Sequence, residues 1–222
     1  HGIGRRQRQM CIRDSFSLSG KIVLSRARMK SFLKYLGIIM SISRIGIIGA
    51  GQMGTGIAHV MALANYDVIL NDVLPENLIT AKTTISQNLD RQVSANKISV
   101  DEASKAMSLV KTSVDLEAVA NTDLIIEAVN EEEELKRKVF LSIMPYLGEH
   151  TVLTSNTSSI SITRLASSTD RPEKFLGFHF MNPVPIMQLV ELIPGIATTQ
   201  DTFEKCAAVV NRLGKTVARS ED

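Results

Sequence analysis

The stretch Ile45-Gly46-Ile47-Ile48-Gly49-Ala50-Gly51-Gln52-Met53-Gly54 constrains this chain more than any other. Residues 44–48 form an apolar, β-branched run of strand length, and residues 55–64 read as a helix. Between them Gly49 permits a tight turn, Gly51 lets the backbone approach a pyrophosphate, and Gly54 lets the helix pack on the strand. Gln52 and Met53 sit in the same turn. The first helical turn then presents free N–H groups and a positive dipole end to phosphate. A second strand follows at 67–70, and Asp72 lies 21 residues beyond Gly51. An acid there is placed to accept the 2′-hydroxyl of a ribose, and its charge disfavours a 2′-phosphate, which favours NAD over NADP. Asp72 also has a plainer reading, as a cap for the helix that opens at Pro75.

The rest of the chain alternates strands and helices. Helices are predicted at 75–96, 101–110, 131–147 and 201–213. Strands are predicted near 111–114, 124–128, 151–154, 175–180, 187–192 and 215–218, with a Ser/Thr-rich loop after 154. This pattern gives an α/β fold of Rossmann type, a doubly wound and mostly parallel sheet, with a helical pair at 75–110 inserted into the plain βαβ unit. The acids 131–134 read as a solvated first helical turn favoured by the helix dipole.

Composition excludes several classes. The net charge is +2, but residues 1–40 hold nine Lys/Arg against one acid, leaving sixteen against twenty-two in the remainder. A mildly acidic body does not suit a nucleic-acid partner. No apolar run reaches the roughly 18–20 residues that span a bilayer, so no membrane role is expected. The cysteines, Cys11 and Cys206, make neither a metal spacing nor a disulfide framework. The expected domain division is 1–40 as an extension and 41–222 as the cofactor domain. The extension starts with His, and residues 6–15 resemble translated sequencing adapter. It reads as non-native sequence, as an Arg- and Ser-containing presequence that would send the protein to the mitochondrial matrix, or as a genuine extension. Otherwise a cytoplasmic location is expected.

The second informative stretch is Gly177-Phe178-His179-Phe180-Met181-Asn182-Pro183-Val184-Pro185. Oxidising an alcohol with NAD removes a hydride from carbon and a proton from oxygen, and His suits the second task near neutral pH. His179 lies in an apolar strand, where a lone histidine is more often a satisfied core residue. Glu191 lies twelve residues on, in another apolar strand that can return beside it. A Glu–His pair would fix one imidazole tautomer and stabilise the protonated ring. Without a partner, Glu191 is an unrelated structural acid.

Taken with Ile126-Glu127-Ala128-Val129 and Thr154-Ser155-Asn156-Thr157-Ser158-Ser159, these motifs resemble the 3-hydroxyacyl-CoA dehydrogenase family, especially its bacterial 3-hydroxybutyryl-CoA members, from Met40 to Asp222. The resemblance implies NAD-dependent interconversion of (S)-3-hydroxyacyl-CoA and 3-oxoacyl-CoA. It implies His179 as base, Glu191 as its partner, Ser158 on the substrate's 3-oxygen, and Asn182 beside nicotinamide and substrate. Asp72 would take the adenosine ribose, and Ala128, Glu131, Lys136 and Asn156 would serve the cofactor. Read without the family, Ser158 is a turn or cap residue. Arg91 and Lys97 on the helical pair either meet a CoA phosphate or are ordinary solvated charges. Two departures stand out. Met181 replaces a more usual Phe, and the family continues beyond Asp222 with a further catalytic asparagine and an all-helical domain that dimerises and closes the cleft. Two other readings remain: a related hydroxy-acid dehydrogenase of the gulonate type, and a non-catalytic dinucleotide-binding protein of the lens-crystallin kind.

Overall fold

The computed structural model describes residues 42–222. The basic extension at 1–40 and Cys11 lie outside the described residues. The strands are β1 (Arg44–Ile48), β2 (Asp67–Asn71), β3 (Val110–Ser113), β4 (Leu124–Glu127), β5 (Val152–Ser155), β6 (Phe175–Phe180), β7 (Leu189–Pro194) and β8 (Thr216–Arg219). The helices are α1 (Gln52–Leu63), α2 (Pro75–Ser94), α3 (Val100–Leu109), α4 (Glu133–Ile143), α5 (Ile162–Ser167) and α6 (Gln200–Arg212). One sheet runs β3-β2-β1-β4-β5-β6-β7-β8. Its first six strands are parallel, β7 is antiparallel to β6, and β8 is parallel to β7. The order reverses between β1 and β4, which is the crevice where this architecture binds ligands.

Strand residues alternate between two cores, one on each face of the sheet. Ile45, Ile47, Leu124, Ile126, Phe178 and Phe180 join α1, α2, α3 and α6. Ile48, Ile125, Leu153 and Phe175 join α4 and α5 instead. Burial on both faces explains why β1 and β4 read as continuous apolar runs. The helical pair forms as expected. Helix α2 buries Leu78, Ala81, Ile85 and Leu89 on one stripe. Helix α3 opens with a capping box in which Ser99 Oγ accepts from Glu102 N–H and Ser99 N–H donates to the Glu102 carboxylate.

Three departures from the sequence reading stand out. Helix α1 begins at Gln52 rather than 55, because the glycine turn itself winds into the first helical turn. Helix α4 covers only Glu133–Ile143 of the expected 131–147; Glu131 stays outside it and turns its carboxylate to the loop at 157–159. Helix α5 lies in what read as a loop. Ser161 Oγ caps it by accepting from Arg164 N–H, and Ile162, Leu165 and Ala166 give it a buried face.

Candidate active site

The glycine turn sits at the C-terminal edge of β1, against the end of β4. Gly49 has φ +103°, and a Cβ there would lie 2.6 Å from the Ala128 carbonyl oxygen. A Cβ on Gly54 would lie 1.8 Å from the Gly49 carbonyl oxygen, so only glycine lets α1 pack this close to the turn. Gly51 is the N-cap of α1, with no side-chain cap and open space where its Cβ would be. The uncapped N–H groups and the bare approach fit a pyrophosphate.

A cleft of about 440 Å³ opens beside this turn, with Gly49, Gly51, Asp72, Leu74 and Ala128 in its wall. Asp72 Oδ2 accepts from Ala50 N–H at 2.7 Å, and its Oδ1 accepts from Leu74 N–H at 3.0 Å and Asn77 Nδ2 at 3.1 Å. The carboxylate therefore ties the glycine turn to the start of α2 while facing the cleft. Its oxygens retain lone pairs for a hydroxyl donor.

The other residues expected at the cofactor are placed differently. Gln52, Met53, Gly54, Glu131, Lys136 and Asn156 are not among the residues lining this cleft. Lys136 is fully buried. Its ammonium donates to Glu127 Oε1 at 2.8 Å and to the Val129 carbonyl at 3.2 Å, and lies 3.4 Å from Glu131 Oε2. Glu127 also accepts from Val129 N–H at 2.7 Å and Ser155 Oγ at 2.6 Å. Burial lifts the Glu127 carboxyl above its usual range, and the Lys136 ammonium opposes the lift. The buried pairing of Glu127 with Lys136 escaped the sequence reading, although a charged residue closing the run Leu-Ile-Ile was its signal. Arg91 and Lys97 are both exposed, and neither lines the cleft. Arg91 donates to Asn88 of its own helix at 3.1 Å.

Glu131 gathers the loop after β5. Its Oε1 accepts from Thr157 Oγ1 at 2.5 Å, Ser158 N–H at 2.9 Å, Ser159 N–H at 3.1 Å, and more distantly from Ser158 Oγ at 3.3 Å. Partial burial works against the charge, yet these bonds and Lys136 hold its pKa at about 2. Asn156 Oδ1 accepts from Phe180 N–H at 2.9 Å and so ties the same loop to the end of β6.

His179 and Glu191 are register partners on the antiparallel pair β6–β7. Residues directly opposite on neighbouring strands are held within side-chain reach, and His179 Nδ1 meets Glu191 Oε2 at 2.8 Å. A carboxylate only accepts, so Nδ1 carries the hydrogen and Nε2 is left with a free lone pair. The side chains are 20% and 30% exposed, enough to meet a substrate and too little for full hydration. The His179 hydrogen bond holds the Glu191 carboxyl below its usual range; partial burial opposes this and Ser220 adds to it.

The turn after β6 joins the two signature stretches. Gln52 Nε2 donates to Asn182 Oδ1 at 3.3 Å. Helix α1 packs on Val184 through Gly56, where a Cβ would lie 3.0 Å from the Val184 Cβ. Lys215, nearly buried, donates to the carbonyls of Val184 at 2.8 Å and Met187 at 2.6 Å. Burial pushes its ammonium pKa down. Nothing local in the sequence marks Lys215 for this role.

The strand order and the glycine turn define the class: a dinucleotide-binding domain of Rossmann type. The chain belongs to the family described as 3-hydroxyacyl-CoA dehydrogenase, NAD binding domain, whose model matches residues 44–222. NAD is therefore the cofactor. A 3-hydroxybutyryl-CoA dehydrogenase of Bradyrhizobium diazoefficiens is 53% identical over 181 residues, covering 82% of this chain and 62% of that protein. The mitochondrial hydroxyacyl-coenzyme A dehydrogenase of Rattus norvegicus is 39% identical over 180 residues, covering 78% and 57%. The crystal structure of (S)-3-hydroxybutyryl-CoA dehydrogenase PaaH1 from Ralstonia eutropha superposes with a TM-score of 0.80 at 38% identity, over 82% of this chain and 64% of that one. The chain thus spans less than two thirds of the length of these relatives.

Proposed function

We propose that this chain is the cofactor- and base-bearing part of an NAD-dependent (S)-3-hydroxyacyl-CoA dehydrogenase acting on short acyl chains of the 3-hydroxybutyryl-CoA kind. The observation that carries the reading is the 2.8 Å contact between His179 Nδ1 and Glu191 Oε2, on a strand whose following turn is bonded to the glycine loop. In the oxidative direction His179 Nε2 takes the proton of the 3-hydroxyl, and Glu191 stabilises the imidazolium through Nδ1–H. Ser158 Oγ hydrogen-bonds the 3-oxygen, and Asn182 orients the reacting ends. Bound NAD supplies the hydride acceptor. Asp72 selects its ribose, while Lys136, Glu131 and Asn156 fix the wall and loop around it. Arg91 and Lys97, exposed on the helical pair, offer charge to a CoA phosphate. The enzyme acts as a cytoplasmic homodimer. A merely structural dinucleotide-binding protein would have no use for a partly exposed His–Glu pair.

The test is His179→Gln in a chimera completed from the Bradyrhizobium relative. Oxidation of 3-hydroxybutyryl-CoA should fall about 10²–10⁴-fold in kcat, the usual cost of losing a general base, with the NAD dissociation constant unchanged. An unchanged kcat would remove His179 from the mechanism.

A further inference from the structure

Glu191 has two carboxylate oxygens, and only one of them faces His179. The other, Oε1, accepts from Ser220 Oγ at 3.2 Å. Ser220 follows directly on β8, and its own N–H donates to the Leu192 carbonyl at 3.1 Å, so its backbone is fastened to the strand that carries Glu191. Two residues further on, Asp222 fastens the same segment on its other side. Its carboxylate accepts from Ile162 N–H at 2.6 Å, Thr163 N–H at 2.8 Å and Ser161 Oγ at 3.1 Å, at the start of α5. The hydroxyl of Ser220 is thus delivered from a backbone held on both flanks. Among the described residues, His179 is the only cationic side chain within 4.0 Å of Glu191. No lysine or arginine there competes to orient the carboxylate.

We infer that Ser220 is a positioning residue for the His179–Glu191 pair: by donating to Glu191 Oε1 it fixes the rotation of the carboxylate, so that Oε2 stays in line with His179 Nδ1 and the imidazole is kept as its Nδ1–H tautomer. A carboxylate held by one oxygen alone swings about its last side-chain bond. A second donor from a fastened backbone removes that freedom. Ser220 touches neither the transferred proton nor the imidazole; it acts through Glu191. The inference rests on the proposed role of the pair.

The experiment reads the tautomer without requiring turnover. The chain has four histidines, so its imidazole ¹⁵N resonances are few, and His179→Gln identifies those of residue 179. In the parent chain, neutral His179 should be mainly Nδ1–H. In Ser220→Ala the ratio of Nδ1–H to Nε2–H should fall about three- to tenfold, the range carried by one net hydrogen bond. Ser220→Thr, which keeps the hydroxyl, should restore it. An unchanged ratio in Ser220→Ala would overturn the inference, as would a loss that Ser220→Thr fails to restore. Glu191→Ala separates this from the underlying reading. If Glu191→Ala lowers the ratio and Ser220→Ala does not, the pair stands and only Ser220 is wrong. If neither variant moves it, the pair itself is not formed and both readings fall.

Discussion

Asp72 is where one side chain does two physically distinct things, and a single substitution separates them. Its carboxylate holds Ala50 N–H and Leu74 N–H while lining the cofactor cleft. Asp72→Ser removes the charge that would repel a 2′-phosphate. We expect NAD to bind more weakly and the preference for NAD over NADP to drop about tenfold, corresponding to about 1.4 kcal/mol of lost discrimination. Titrating both cofactors against the parent and variant chains checks this. If both weaken equally, Asp72 only braces the turn. At this scale the sequence was legible where a residue type conflicts with its surroundings. A lone His and a lone Glu in two apolar strands predict a pair, and the structure brings them to 2.8 Å. It was silent where partners come from afar. Ser220 and Lys215 look like ordinary residues flanking a strand until the fold brings Glu191 and the 183–187 turn to them.

Among elements, the contact of α1 with the glycine turn is the least forgiving. The Cβ of Gly54→Ala would fall 1.8 Å from a backbone oxygen, which no rotamer change relieves. Overpacking costs about 1–3 kcal/mol where side chains can adjust, and here the clash is with the main chain. The expected outcome is a melting temperature several degrees lower together with loss of NAD binding, followed by thermal denaturation and cofactor titration. An unchanged melting temperature would mean that α1 can move off β1 freely. Most elements were legible because burial leaves its mark on sequence, a continuous apolar run in β6, which is buried on both faces, and a period between three and four in α2. Helix α5 was not, because its six residues are too short to show a period and its flanking Ser/Thr residues read as loop. The early start expected for α4, at residue 131, failed for a related reason. Four successive acids suggest one helical turn, and only the fold shows that Glu131 is taken by the loop at 157–159.

For the whole molecule, stability should depend on pH through His59, buried away from the site, and through Glu131, partly exposed beside it. His59 on α1 is fully buried; its Nδ1 has no hydrogen-bond partner, and Gln92 lies 3.4 Å from its Nε2. Burial holds its pKa below the usual 6.5, with the Gln92 contact opposing. The unfolded chain therefore takes up this proton first as the pH falls, and stability present above pH 6.5 is lost below it. Glu131 acts in a separate window. Its folded pKa is depressed from 4.5 to about 2, so its contribution is present above pH 4.5 and fades towards pH 2. Between about pH 7.5 and 5.5 the melting temperature of the parent should fall as the unfolded chain takes up the His59 proton. His59→Gln should flatten that slope. Equal slopes in both proteins would assign the loss to another group. The sheet order was legible at this scale because alternating strands and helices leave a parallel sheet few arrangements, whereas an unpaired nitrogen inside α1 has no sequence signature.

The reversal of strand order between β1 and β4 also bears on how the protein is made. The two edges of the cofactor crevice, Ile48 and Glu127, are register partners, yet 79 residues separate them along the chain. A ribosome adding about 5–20 residues per second needs roughly 4–16 s to cover that interval. Throughout it, β1 can be joined by β2 on one side, while its other side waits for a neighbour not yet synthesised. The nucleotide seat is thus completed only some seconds after β1 is made. Its glycine loop is made with β1, but the wall that closes it arrives only with β4.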